Sequence, residues 1–331
     1  MWKQRWWILL ALVGGVLIGW IVINRSGRET IQPCDEYSFY PSPDGKYILL
    51  GNPQTGQVAL YATAPEKVIK WFDNDYRIPT VGGGIWSQDS KRFLLVSEEK
   101  PAFIVVEIDT LLERYKSVPD SSLKALLSPD GEKVVAEIED GVLLWNVNND
   151  EIDKIELSLE QIVDLSTITW VNSQTILLMF GYSSPRLVLY DLETSQSREV
   201  PPTAKRITAS PYATAEGQVP VLISSAEPQS VGLLDIKTHT LRAVLSLPGR
   251  TAEFDKWVLL PYRQYSSSNF VVLSRYLEQQ RKSEVIRVDL QSGKIVGQAY
   301  LNSPFGVDAS GRVWQCQQGH LTKTVHLADN Q

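Results

Sequence analysis

The sequence predicts an all-β fold, a β-propeller of about seven four-stranded blades preceded by one N-terminal transmembrane helix. Three observations predict it: a tight-turn motif recurring every 39 to 53 residues, a polar turn signature that follows most copies, and an unbroken apolar run near the N-terminus. A period of that length marks a fold in which each unit buries its apolar face against the next. At 331 residues the chain is long for one compact core, yet radial all-β folds of this size form single domains. The expected division is an anchor and short linker over 1–28 and the propeller over 29–331.

The turn motif is clearest in three copies. Ser42-Pro43-Asp44-Gly45-Lys46 precedes Tyr47–Leu50, Ser87-Gln88-Asp89-Ser90-Lys91 precedes Phe93–Val96, and Ser128-Pro129-Asp130-Gly131-Glu132 precedes Lys133–Ala136. Pro presets φ, Asp bonds back to the backbone and Gly tolerates positive φ, so each reads as the turn of a hairpin. Weaker copies stand at Val171–Gln174, Ser210-Pro211-Tyr212, Phe254-Asp255-Lys256 and Asp308–Gly311, giving about seven units. The second signature closes a later strand: Ile108-Asp109-Thr110, Leu144–Val147, Leu189–Thr194, Leu234–Thr238 and Val288–Gly293. A further apolar segment completes each unit at four short strands, the size of a propeller blade. Helical periodicity is confined to Ser158–Leu165, which is short.

These residues resemble the WD40-like or TolB-type propeller repeats of bacteria, in which a Ser-Pro-Asp-Gly turn between the first two strands recurs. The resemblance covers roughly residues 37–316 and is specific at 42–46, 87–91 and 128–132. The Gly-His start of eukaryotic WD40 repeats is missing, and Trp145-Asn146 and Tyr190-Asp191 only approximate their Trp-Asp end. What the resemblance implies is an architecture and a binding-platform role; it brings no catalytic residue.

Trp6 to Ile23 is an apolar run of 18 residues without a charge. As a helix it spans roughly 27 Å of hydrocarbon, and Trp2, Trp6, Trp7 and Trp20 fall toward its ends, where indoles favour the headgroup region. The residues after it offer no small-x-small cleavage site, so an uncleaved anchor is expected over a secreted, processed protein. Lys3, Arg5 and the α-amino group against Arg25 and Arg28 favour a cytoplasmic N-terminus, placing the propeller outside the cytoplasm at the cell membrane.

Acidic residues begin at Glu29, so the domain beyond residue 28 carries 28 basic and 38 acidic residues, a net charge of −10. Such a surface is poor at neutralising phosphates, and nucleic acid is not an expected partner. His239, His320 and His326 fit no metal or general-base spacing. Ser121-Ser122-Leu123-Lys124 has the Ser-x-x-Lys spacing, but that chemistry needs a helix and this pair opens a strand. Val81-Gly82-Gly83-Gly84-Ile85 leads into a strand rather than the helix a phosphate cradle requires. Asp73-Asn74-Asp75 and Asn146–Asp150 lack the Gly and distal Glu of a calcium loop and read as turns. No catalytic residue, metal or cofactor is therefore assigned. Trp86 and Trp170, at matching positions before their turns, are expected in the core.

Tyr262 to Lys282 is the one basic, aromatic stretch, and Arg with Tyr is the composition of binding hot spots. Tyr262, Arg263, Tyr265, Arg275, Tyr276 and Arg281 are its candidate binding residues; solvated loops on an enlarged blade are the alternative. The chain has two cysteines, Cys34 and Cys316. After Tyr300 only three strands remain, so Glu29–Gln32 is expected to supply the last blade's outer strand and close the ring. That geometry brings Cys34 and Cys316 to one face of one blade, where an oxidising compartment lets them bond. The functional expectation is a membrane-anchored extracytoplasmic platform for a protein partner in the cell envelope or for a ligand. The alternative is a propeller enzyme, of hydrolase or lactonase type, with its site at the channel mouth.

Overall fold

The computed structural model describes residues 34–327 apart from 80–83, 120–123, 140, 157–164, 182–184, 201–205, 215, 225–227, 250–255, 261–268, 303, 309 and 318–319. The apolar run Trp6–Ile23 and the expected closing strand Glu29–Gln32 lie outside these residues. Among the described residues no helix is long and apolar enough to cross a membrane. The helices are two three-residue 3-10 segments, Cys34–Glu36 and Glu278–Gln280. Of the helical candidate, Ser158–Asp164 lies outside the described residues and Leu165 opens a strand.

The strands form seven antiparallel sheets in chain order, six of four strands and a last one of three. The protein is thus an all-β, seven-bladed propeller. Each sheet is a meander whose first strand lies innermost: Ser38–Pro41, Tyr76–Arg77, Ala125–Leu127, Leu165–Asn172, Ile207–Ala209, Val258–Leu259 and Phe305–Val307. Second and third strands such as Arg92–Ser97 and Ala102–Glu107 are buried on both faces and read as continuous apolar runs. Outer strands such as Gln196–Val200 are largely exposed and polar.

Seven apolar clusters hold the blades, one between each neighbouring pair. Blades 1 and 2 share Leu60, Trp86 and Phe93, and blades 2 and 3 share Phe103, Val134 and Trp145. The seventh cluster joins the two ends of the series through Cys34, Phe39, Ile48 and Trp314. Because each blade has half its core in each neighbour, no sheet has a complete core alone.

The meander sends first-to-second and third-to-fourth connections to one face of the disc and the remaining connections to the other. The Ser-Pro-Asp-Gly turns define the first, hereafter the turn face. Two expected turns are displaced. In blade 5 the Thr214 amide bonds the Gln218 carbonyl and the Gly217 amide the Thr214 carbonyl, so the turn is Thr214–Gln218. Ser210-Pro211-Tyr212 instead prolongs the inner strand, with Trp170 and Tyr212 in a parallel bridge. In blade 6 Lys256 precedes the inner strand Val258–Leu259, and the connection to Phe270–Leu277 runs through 260–269. In blade 5 the turn chemistry thus forms a few residues downstream of the expected copy.

Candidate functional site

Four turns of the turn face, those of blades 1, 2, 3 and 7, share one hydrogen-bond set or a variant of it. In the first turn the Ser42 hydroxyl donates to Asp44 Oδ1 at 2.7 Å and accepts the Tyr47 amide at 3.0 Å. Ser87 with Asp89 and Ser128 with Asp130 repeat both roles. The last blade swaps the pair: Asp308 stands in the Ser position and accepts the Ser310 amide and hydroxyl and the Arg312 amide. Neighbouring turns are then cross-linked. The Asp44 amide donates to Ser90 Oγ at 3.0 Å, the Gln88 amide to the Pro129 carbonyl at 2.7 Å, and Arg312 Nη2 to the Asp44 carbonyl. Ser90 adopts φ 63°, the left-handed conformation that Gly45 and Gly131 hold in their turns.

Among the described residues, two buried side chains bridge blades at this face. Tyr212 of blade 5 donates its hydroxyl to the Leu127 carbonyl of blade 3 at 2.8 Å and approaches the Trp86 carbonyl of blade 2 at 3.2 Å. Trp86 Nε1 donates to the Tyr40 carbonyl of blade 1 at 3.0 Å. Both side chains are buried, so one Tyr and one Trp link four blades across the axis. Toward the other face, between blades 3 and 4, Lys124 pairs with Glu137 at 2.8 Å beside Ser166 and Thr167.

Of the candidate binding residues, Tyr262, Arg263 and Tyr265 lie outside the described residues. The structure places Arg275 in the interior: it is 8% exposed, its Nε bonds Glu284 at 2.6 Å, Nη1 donates to the Gly249 carbonyl and the guanidinium stacks over Trp257 at 4.6 Å. Its neighbours Val271 and Leu273 on the same side of the strand belong to the cluster shared with blade 5, so strand alternation carries Arg275 inward. Tyr276, 47% exposed, faces the opposite way, and Arg281 is exposed at the next connection with φ 52°. Of the three described residues, Arg275 is thus interior while Tyr276 and Arg281 are exposed.

Cys34 and Cys316 form a disulfide with Cα atoms 5.6 Å apart. It sits on the face opposite the Ser-Pro-Asp-Gly turns, tying the first described segment to the second strand of the last blade. His239 occupies a turn at φ 57° and His320 is exposed at the start of the last strand. Asn146 accepts the Asn148 and Asn149 amides, and Asp150 accepts Trp145 Nε1, so these oxygens serve their own turn. Ser121–Leu123 and Val81–Gly83 lie outside the described residues. Trp86 and Trp170 are buried.

Sequence reading did not single out a cleft of about 400 Å³ between blades 4 and 5 on the turn face. Val171, Leu189 and Ile236 give it apolar walls, and Arg198, Lys237 and Asp191 line it with charge. Asp191 Oδ1 accepts the Thr194 amide at 2.8 Å, the Thr194 hydroxyl and the Glu193 amide. Those bonds, the Thr194 amide foremost, hold its carboxyl below the ordinary range, so it is ionised. On the blade 5 side Gly217, at φ 75°, has no atom within 4 Å of where a Cβ would stand. The usable signal in the sequence was positional: Lys237 follows Asp235 in the same closing signature that Asp191 begins one blade earlier.

No family model and no curated protein matches the chain. Among solved structures, it is similar to the β-propeller domain of Cps50 (Swd1) from Myceliophteria thermophila, with 14% identity and a TM-score of 0.60 over 89% of this chain and 98% of that one. It is also similar to an oligogalacturonate lyase from Vibrio parahaemolyticus, with 11% identity and a TM-score of 0.55 over 88% of this chain and 84% of that one. TolB from Acinetobacter baumannii matches at 13% identity and a TM-score of 0.50 over 82% of this chain and 65% of that one. At such identities the likeness concerns the fold alone, which is that of the WD40-like and TolB-type propellers.

Proposed function

We propose that the protein is a membrane-anchored, extracytoplasmic propeller that serves as a binding platform for a protein partner in the cell envelope. The observation that carries the platform reading is the bridged axis with a recess beside it: Tyr212 and Trp86 link four blades at the turn face, and a cleft between blades 4 and 5 opens on that same face. The two buried acids among the described residues, Glu284 and Asp308, are both held in ion pairs with Arg275 and Arg312 that organise the fold. Anchoring rests on the charge-free run Trp6–Ile23. The disulfide supports an oxidising compartment, since such bonds persist outside the cytoplasm.

The test has two arms on the full chain. Membranes from expressing cells are extracted with alkaline carbonate, and the protein is expected to stay in the pellet; release into the supernatant would overturn the anchor. In-cell crosslinking with mass spectrometry is expected to recover a specific envelope protein bound to the propeller. Recovery of no crosslinked protein, alongside turnover of a small molecule by the purified chain, would favour the enzyme alternative instead.

A further inference from the structure

We propose that the cleft between blades 4 and 5 is a docking site for an acidic peptide segment, receiving a Glu or Asp side chain between Arg198 and Lys237 and its apolar neighbours against Val171, Leu189 and Ile236. This deepens the platform reading, on which it rests.

Three observations converge on that chemistry. Several cations of this acidic domain are neutralised: Lys70 pairs with Glu113, Arg92 and Arg114 with Glu107, Lys116 with Asp150, and Arg186 with Glu199. Arg198 and Lys237 form no ion pair among the described residues and, unlike the other cations without one, line the same recess. Two cations against the ionised Asp191 leave a local charge of one positive unit, which one carboxylate balances and a dianion exceeds. The walls beneath are apolar, and a volume of about 400 Å³ lies in the range of pockets that take small ligands or a few side chains. An inorganic anion would leave the exposed part of Val171 uncovered, whereas a peptide with Leu or Val beside its acid covers it. A polynucleotide would meet the surrounding negative surface. The open space beside Gly217 gives the peptide backbone room to approach the blade 5 wall.

The experiment measures fluorescence anisotropy of the labelled peptide Ala-Leu-Glu-Leu-Ala, with blocked ends, on the full chain in detergent micelles, beside its Gln and Lys counterparts. The Glu peptide is expected to bind at least tenfold more tightly than the Gln peptide. Arg198→Ala and Lys237→Ala are each expected to remove most of that preference, and Arg198→Glu with Lys237→Glu to turn it toward the Lys peptide. Both side chains are exposed, so melting transitions should not move; Arg198→Gln supplies the same readout if the double variant melts early. Equal binding of the Glu and Gln peptides, or a preference that survives the double variant, would overturn the assignment. So would competition by inorganic phosphate at the same concentration as the peptide, which indicates a simple anion site. If the double variant still recovers the crosslinked partner in cells, the platform stands and the cleft assignment falls.

Discussion

Single side chains decide how each blade starts. A buried Ser hydroxyl donates to an Asp two residues on and accepts the amide five residues on, and the Asp takes an amide of the same turn, fixing its shape. Asp130 shows the electrostatics. Burial pushes its carboxyl up, but bonds from Ser128, Ser173 and the Glu132 amide, with Lys133 close by, outweigh burial and leave the pKa lowered. A carboxyl depressed by folding contributes stability in full above the unfolded value, near 3.9, and loses it as pH falls through the folded value. Asp130→Asn is therefore expected to lower stability at pH 7 by about 1 kcal/mol, with the gap to the native protein narrowing below about pH 4. Urea midpoints at pH 7 and pH 3 read this directly; a gap that widens in acid would contradict it. At this scale the sequence was readable where Ser, Asp and Gly stand together. It misled at Arg275, because composition reports that an Arg is present while only strand alternation reports which way it points.

At the scale of the element, the inner strands are the least regular part of each blade. Val258–Leu259 and Tyr76–Arg77 are two residues long, whereas blade 4 devotes Leu165–Asn172 to the same position. Blade 5 prolongs its inner strand with Ser210–Ala213, and that extension carries the Tyr which links blade 5 to blades 2 and 3. Tyr212→Phe removes one hydroxyl bonded to buried carbonyls and is expected to cost about 1–2 kcal/mol. Tyr212→Ala also leaves a hole where four blades meet and is expected to cost about 3–5 kcal/mol. Denaturant midpoints of the two variants rank the hydroxyl against the ring; equal losses would show that the ring fills nothing. The repeat made the second and third strands legible, since both faces are buried and the apolar run is continuous. The inner strands could not be read as well, because their length depends on what must fill the axis, a property of the whole ring.

The whole molecule is a ring whose two ends are joined by packing, by a hydrogen bond from Arg312 to the Asp44 carbonyl and by a covalent bridge. Apolar packing between Phe39, Ile48 and Trp314 joins the first and last blades, and the Cys34–Cys316 bond does so covalently. Two cysteines 282 residues apart gave no spacing pattern; counting the strands left after Tyr300 placed them on one blade. In the chain-entropy picture a bridge over so long a loop stabilises by up to about 5 kcal/mol. Removing it by Cys34→Ala with Cys316→Ala, or by reduction, is expected to lower the melting temperature by roughly 10 °C in a protein of this size. A calorimetric scan with and without reductant measures it, and an unchanged transition would assign ring closure to the noncovalent contacts alone.

That bridge also sets how the protein carries tension. A pull applied between the two chain ends passes from Cys34 through the sulfurs into the last blade, bypassing everything between the two cysteines. The bypassed chain, some 282 residues, would extend by roughly 1000 Å if drawn out, yet with the sulfurs joined none of that length can be paid out. The turn face and its cleft lie almost wholly within the bypassed portion, so a partner held there would feel a rigid disc while the ends are under strain.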